Sequence, residues 1–314
     1  MILYFIYVVL ALTMLAFSAD FFVKGASSLA KRFRISDITI GCTIVAIGTS
    51  APEMVINAFA AARGEGDIVI SNIVGSNIVN ICLGLGLAAQ LITITGTRRL
   101  NRFDIPLGVL GAVLLLVGLW PDPHHPKLPM WLAFLLLPIF IYYLNDSRKN
   151  DEADSEEEEF HILGPLRTAA MIILGGVGIS FFGHMVVKYA VLLAEGLGVP
   201  SAVVGATIVA AGGSLPEVAA CLAAARHRRP FIALGNVAGS QIFNLFGVLG
   251  VSLMISEPEF SASIYVDIGV LLFVSALLVI FLRRQAGITA RAGLLLISTY
   301  GLYLTYLAWV ALAK

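Results

Sequence analysis

Residues 41–53 read GCTIVAIGTSAPE, and residues 205–217 read GATIVAAGGSLPE. Nine of the thirteen positions are identical at a constant offset of 164 residues. Each copy lies in an apolar region, yet each carries a serine, a proline and a glutamate at its end. A glutamate at membrane depth is energetically costly and by default indicates a functional site. Its occurrence twice, at equivalent positions, predicts one site built from both copies.

The chain as a whole is apolar. Of its 314 residues, 59% are hydrophobic and only 13% are charged, whereas globular proteins have about 25% charged residues. Continuous apolar runs of about 17–25 residues recur, enough to cross a hydrocarbon core about 30 Å thick. A membrane β-barrel would instead alternate with a period of two. These features predict an all-α membrane protein in contact with the lipid bilayer, and the net charge of zero gives no indication of a nucleic-acid partner.

Clusters of charge, proline and glycine divide the chain into ten predicted transmembrane helices. Their cores lie at about 2–23, 38–62, 68–92, 104–120, 128–145, 165–190, 200–225, 231–255, 263–282 and 292–312.

The internal repeat extends without a gap from residue 23 to residue 250, and it also matches GSNIVN with GSQIFN. Because each half contains five helices, an odd number, the second half must cross the membrane in the opposite sense. Inverted repeats of this kind are typical of transporters with a substrate site at the midplane. We expect three parts: a first five-helix repeat at 1–147, an acidic linker at 148–160, and a second, inverted five-helix repeat at 161–314.

The distribution of positive charge predicts the orientation. Fifteen of the twenty Lys and Arg residues fall in the connections between helices 1–2, 3–4, 5–6, 7–8 and 9–10, and three fall on the opposite side. Positively charged connections are usually cytoplasmic. We therefore expect a multi-pass protein of the cell membrane with both termini outside and the acidic linker in the cytoplasm.

Two prolines shape the predicted site. Pro52 and Pro216 lack an N–H group, so each frees the carbonyl oxygen four residues earlier and favours a broken helix. Irregular backbone at membrane depth persists only where it is buried in protein or lines a cavity. Helices 2 and 7 should therefore offer freed carbonyl oxygens together with the side chains of Ser50, Glu53, Ser214 and Glu217.

The second motif adds oxygen donors on helices 3 and 8, which we also expect to be broken around the site. Ser76 and Asn80 are four residues apart and share one helix face, and Ser240 and Asn244 repeat this spacing. Ca²⁺ takes six to eight oxygen ligands. The absence of nearby thiolates and imidazoles disfavours zinc and copper.

The segments GTSAPE (48–53), GSNIVN (75–80), GGSLPE (212–217) and GSQIFN (239–244) resemble the alpha-repeats of the cation/Ca²⁺ exchanger superfamily, especially its prokaryotic sodium/calcium exchangers. The resemblance covers essentially the whole chain. It implies that helices 1 and 6 slide as a gate against the other eight. It also implies ion ligands at Ala46 (carbonyl), Thr49, Ser50, Glu53, Ser76, Asn80, Ala210 (carbonyl), Ser214, Glu217 and Ser240.

Two positions depart from the pattern of that family. Gly213 stands where prototype exchangers have threonine, and Asn244 stands where they have aspartate. A backbone carbonyl can replace a missing hydroxyl, so we expect both residues to line the site and Ca²⁺ coordination to survive. The departures bear on the number and placement of the coupling Na⁺ ions.

The expected function is secondary antiport of Ca²⁺ against Na⁺ by alternating access, without a cofactor. One Ca²⁺, two Na⁺ or two H⁺ would each neutralise a pair of glutamates, so Ca²⁺/H⁺ antiport is an alternative and a passive cation channel is another. Proton-coupled members of the superfamily usually carry a GNxxE-like motif, which favours Na⁺ here. The sequence shows no motif of paired catalytic Asp, Ser–His or His-rich zinc chemistry, so we do not expect an enzyme, and no protein partner is indicated.

Overall fold

A computed structural model describes residues 1–119, 127–149, 162–257, 259–261, 263–284 and 287–313. Within these residues the chain forms ten long helical segments and no strand. We number them in chain order as α1 (Ile2–Phe33), α2 (Asp37–Ala62), α3 (Gly66–Ala88), α4 (Leu100–Leu119), α5 (Met130–Ser147), α6 (Pro165–Gly196), α7 (201–226), α8 (Pro230–Ile255), α9 (Ile264–Arg283) and α10 (Ala290–Ala313). The acidic run at 151–159 lies outside the described residues.

Nine of these segments in the described chain are each long and apolar enough to cross a membrane. The remaining one, α7, is interrupted at Gly213 and Ser214 and resumes at Leu215. Glycine is unfavourable in a helix interior, whereas Pro216 is tolerated because it lies in the first turn of the second part. The two parts of α7 together occupy the predicted seventh span, and the prediction of an all-α membrane protein is confirmed.

All four helices that were expected to be broken are irregular, but only α7 is interrupted. Helix α2 continues through Pro52, since proline removes only one hydrogen bond from the ladder. Its irregularity is a wide π-helical turn at Gly41–Val45, matched in α7 by Gly205–Val209. Helices α3 and α8 have such turns at Asn80–Leu85 and Phe243–Val248. Turns of this kind often mark functional sites, and here they recur at equivalent places in the two repeats.

The helices that carry the motifs lie at the centre of the protein. Each helix was compared over its own most apolar 18-residue window. The buried share of the residues in that window is 83% for α8, against 17% for α1 and 11% for α10. The outer helices expose apolar side chains such as Phe5, Phe17 and Leu302. This arrangement suits a protein whose outer surface contacts lipid and whose polar motifs are enclosed.

Helices α1 and α6 form a long pair beside this centre. Each has 32 residues, which corresponds to about 48 Å at 1.5 Å per residue. Small residues allow the two helices to pack closely. A Cβ atom at Gly25 would lie 2.9 Å from Ile172 Cγ1, and one at Gly175 would lie 2.7 Å from the backbone nitrogen of Phe22.

Candidate cation site

The side chains predicted to form the site all lie in the protein interior. Each is at most 2% exposed: Thr49, Ser50, Glu53, Ser76, Asn80, Ser214, Glu217, Ser240 and Asn244. A buried polar group without a partner costs about 1–3 kcal/mol. These nine side chains therefore require partners, either within the protein or from bound ions.

Ser50 brings three of the motif helices together. Its hydroxyl lies 2.7 Å from Glu217 Oε1 on α7, to which it donates, and 3.1 Å from Ser240 Oγ on α8. Glu53 lies on the same helix as Ser50, and its carboxyl group is close enough to interact electrostatically with that of Glu217. The two glutamates, which are 164 residues apart in the sequence, thus share one buried site.

Several buried polar atoms of this site make no hydrogen bond within the described residues. They are both carboxylate oxygens of Glu53, Oε2 of Glu217, Oγ of Ser214 and both side-chain amide atoms of Asn80 and Asn244. Roughly 90% or more of buried backbone polar groups, and most buried side-chain polar atoms, have a partner, so their concentration at the predicted site is informative. Six of these atoms are oxygens, which is within the range of ligand numbers for Ca²⁺.

The donor set differs from that of a typical resident metal centre. Within the described part of the chain, no group of three or more His, Cys, Asp or Glu side chains could hold a metal ion. The site instead combines two carboxylates with neutral hydroxyl and amide oxygens, which are ligands that suit hard cations. The residues present therefore fit a hard cation such as Ca²⁺ or Na⁺.

Three predicted positions have no polar side chain. Ala46 and Ala210 would contribute backbone carbonyl oxygens, and Gly213 lacks the hydroxyl of the threonine that it replaces. The carbonyl oxygen of Ala46 lies 3.2 Å from Thr49 Oγ1. Ala210 begins the short helical stretch that ends at the interruption of α7. Gly213 lies at that interruption and is half-buried, and a Cβ atom there would be 3.4 Å from Asn72 Oδ1 on α3.

Sequence reasoning gave no role to Asn236, although the structure places it beside the site. Its side chain is 0% exposed. Its Nδ2 donates to the carbonyl oxygen of Glu217 at 3.2 Å, and its Oδ1 accepts from Thr49 Oγ1 at 3.4 Å. The available signal was the identity of Asn236 with Asn72 at the repeat offset.

Comparisons with known proteins agree with the fold over nearly the whole chain. The family model described as sodium/calcium exchanger protein matches residues 3–145 and again residues 167–309. The sodium/calcium exchanger MaX1 of Methanosarcina acetivorans is 30% identical over 345 residues, which cover 98% of this chain and 99% of that protein. The uncharacterized membrane protein MJ0091 of Methanocaldococcus jannaschii is 33% identical over 300 residues, 94% of each chain.

A solved structure of the sodium-calcium exchanger NCX_Mj, soaked with Na⁺ and Sr²⁺, is similar in three dimensions. The TM-score is 0.82 at 31% sequence identity, and the match covers 97% of this chain and 98% of that one. The resemblance expected from the four motif segments is thereby confirmed. The chain belongs to the sodium/calcium exchanger family, which is a family of ion transporters rather than of enzymes.

Proposed function

We propose that this protein is an antiporter that exchanges Ca²⁺ for Na⁺ across the cell membrane by alternating access. One observation carries the proposal: Glu53 and Glu217 share a buried site in which oxygens of both carboxylates lack protein partners. Two ionised glutamates carry two negative charges, which one Ca²⁺ or two Na⁺ would neutralise. Because an uncompensated buried charge costs several kcal/mol, either load stabilises the site, and movement of the empty site is disfavoured.

The choice of Na⁺ as the coupling ion is supported by similarity to two named exchangers. MaX1 and NCX_Mj are both named as sodium/calcium exchangers, and both match nearly the whole chain. These likenesses support Na⁺ as the counter-ion. Two protons would also neutralise the glutamate pair, so Ca²⁺/H⁺ exchange at the same site is the alternative that an experiment must separate. A passive cation channel is the third possibility.

Alternating access is supported by a difference in packing between the two repeats. Where α2 crosses α8, a Cβ atom at Gly41 would lie 2.8 Å from the Ile232 carbonyl oxygen, and one at Gly239 would overlap the backbone of Cys42. At the equivalent glycines of the other crossing, Gly205 and Gly75, no described atom would lie within 4 Å of an added Cβ. The α2–α8 crossing is therefore closed, while the α7–α3 crossing is open.

The long helix pair shows the same difference. Helix α1 packs against the second part of α7, and Asp20 Oδ1 lies 2.9 Å from His227 Nε2 at the end of α7. Their repeat equivalents, His184 and Arg63, are both basic, and no ion pair joins α6 to α2 within the described residues. A mostly apolar cavity of about 1110 Å³ lies between α6 and α2, and along α2 it extends from Thr39, near the start of the helix, to Val55. The tighter packing of α1 on α7 than of α6 on α2 is the arrangement expected for one end state of an alternating-access cycle.

The charge distribution supports an orientation for this state. The closed side carries the connections after α1 and α7, which contain Arg34, Arg228 and Arg229. Since positively charged connections are usually cytoplasmic, this distribution supports a state closed toward the cytoplasm and open to the outside. Both termini would then lie outside.

The test is ⁴⁵Ca²⁺ uptake into proteoliposomes loaded with Na⁺, with K⁺ or with low-pH buffer. We expect rapid, saturable uptake only when an outward Na⁺ gradient is present. Uptake driven only by the pH gradient would replace the Na⁺ proposal with Ca²⁺/H⁺ exchange. Uptake that needs no counter-gradient and does not saturate would identify a channel.

A further inference from the structure

We propose that Asn236 is a positioning residue of the cation site. Its side-chain amide accepts a hydrogen bond from the Thr49 hydroxyl and donates one to the Glu217 carbonyl oxygen. The oxygens of Thr49 and Ala46 are then left to face a bound cation. This inference rests on the proposed exchange function.

The first observation is the surplus of acceptors around Thr49. Its Oγ1 lies 3.1 Å from the Val45 carbonyl oxygen, 3.2 Å from the Ala46 carbonyl oxygen and 3.4 Å from Asn236 Oδ1. A hydroxyl has one proton and can donate it to only one of them at a time. A hydroxyl that donates to the Ala46 carbonyl oxygen uses one of its two lone pairs and leaves only the other for a cation. Of these three acceptors, Asn236 lies on another helix, and the Glu217 carboxylate on α7 is also close enough to Thr49 to compete for this hydrogen bond.

The second observation is that the side-chain amide of Asn236, on α8, connects α2 to α7. While Asn236 Oδ1 accepts from Thr49 on α2, its Nδ2 donates to the Glu217 carbonyl oxygen on α7 at 3.2 Å. An amide combines an acceptor and a donor in a fixed geometry. With no exposed surface, Asn236 has no water to replace these partners, and its removal would leave both motif helices without this connection.

The third observation is the repeat equivalent, which works as an internal control. Asn72 lies against Gly213, which has no hydroxyl to donate, and Asn72 Nδ2 makes no hydrogen bond within the described residues. The carbonyl oxygen of Glu53 accepts instead from Asn57 Nδ2 at 2.9 Å. The same residue type thus occurs twice, once with its hydroxyl partner and once without it.

The first test compares Asn236→Ala with the parent in Na⁺-driven ⁴⁵Ca²⁺ uptake. A hydrogen bond contributes about 1 kcal/mol, so we expect the half-saturating Ca²⁺ concentration to rise about fivefold, with the maximal rate within twofold. In a Thr49→Val background, Asn236→Ala should change the half-saturating Ca²⁺ concentration by less than twofold, because the two residues act as a pair. A general packing defect would lower the maximal rate equally in both backgrounds and would overturn the proposal.

The second test uses the other repeat and does not depend on whether Asn236→Ala folds. We expect Asn72→Ala to change the half-saturating Ca²⁺ concentration by less than twofold in the parent chain. In a Gly213→Thr background, which supplies the missing hydroxyl, it should raise that concentration about fivefold. An equal effect in both backgrounds would overturn the pairing. Absence of Ca²⁺ uptake by the parent chain would instead refute the proposed function, so the two failures are distinguishable.

Discussion

Ser50 donates a 2.7 Å hydrogen bond to the carboxylate of Glu217. The repeat equivalents of these residues, Ser214 and Glu53, have unpartnered side-chain oxygens within the described structure. The asymmetry follows the packing, because the α2–α8 crossing is closed and the α7–α3 crossing is open. Ser50, on the closed α2–α8 pair, therefore has the partners Glu217 and Ser240, whereas Ser214 on α7 has none within the described structure, even though nine of the thirteen motif positions are identical.

Substitution of Ser50 should weaken Ca²⁺ binding. Ser50→Ala removes a hydrogen bond to a charged group, which contributes about 1.5–3 kcal/mol, so we expect at least a tenfold rise in the half-saturating Ca²⁺ concentration. The measurement is ⁴⁵Ca²⁺ uptake over a range of external Ca²⁺. Ser252→Ala is the matched control, since Ser252 is equally buried on α8 but bonds only to the Val248 carbonyl of its own helix. Equal effects of the two substitutions would contradict the role of Ser50.

Asn244 should affect the coupling ion more than Ca²⁺. Both amide atoms of Asn244 are buried without partners in the described structure, and Asn244→Asp would add a third negative charge to the proposed site. We expect the cooperativity of Na⁺-driven uptake to change, while the half-saturating Ca²⁺ concentration changes less. Titration of internal Na⁺ at fixed Ca²⁺ measures this. Unchanged Na⁺ cooperativity would show that Asn244 does not contact the ion cavity.

Two equivalent glycines should respond differently to alanine. Gly239→Ala forces a Cβ atom into the backbone of Cys42, so we expect a lower melting temperature in detergent, in keeping with the 1–3 kcal/mol typical of overpacking. Gly75→Ala meets no described atom and should leave the melting temperature unchanged. It should nevertheless slow exchange, because the α7–α3 crossing must close in the opposite state. Full exchange activity in Gly75→Ala would contradict that closure.

The hydrogen-bonded pair Asp20 and His227, which joins α1 to α7, should bias the conformational equilibrium. Partly exposed pairs contribute about 0–1 kcal/mol, so Asp20→Asn should shift the ratio of the two states by up to about fivefold. Ile68→Cys reports the shift, since residue 68 is 48% exposed whereas its repeat equivalent Ile232 is 0% exposed. We expect Asp20→Asn to slow labelling of this cysteine by a water-soluble maleimide. An unchanged or faster labelling rate would contradict the predicted role of this hydrogen-bonded pair.

Much of the architecture could be predicted from the sequence, because a membrane-spanning helix must be apolar and about 20 residues long, and charged residues collect in the connections. Apolar runs, charge clusters and the offset of 164 residues predicted the all-α membrane fold and the seventh span, and Pro216 correctly indicated that this span is broken. The form of the irregularities was harder to predict. Pro52 indicated a break in α2, but the helix continues through it, and the irregularity lies earlier, at Gly41–Val45.

The asymmetry of the site could not be read from residue types. Gly75 and Gly239 occupy the same motif position, yet only Gly239 contacts another backbone. Which crossing is closed depends on the position of whole helices rather than on local sequence. The role proposed for Asn236 likewise depends on three distances across helices, while the sequence shows only its identity with Asn72.

The central claim is that Glu53 and Glu217 together carry Ca²⁺ in exchange for Na⁺. The most direct measurement is Na⁺-driven ⁴⁵Ca²⁺ uptake by Glu53→Gln and Glu217→Gln, each of which preserves size and removes one negative charge. Asp267→Asn is the matched control, because Asp267 accepts a 2.7 Å hydrogen bond from Tyr303 outside the site. We predict that either glutamine variant abolishes uptake and that the control retains it. Full Na⁺-driven uptake in either glutamine variant would contradict the account.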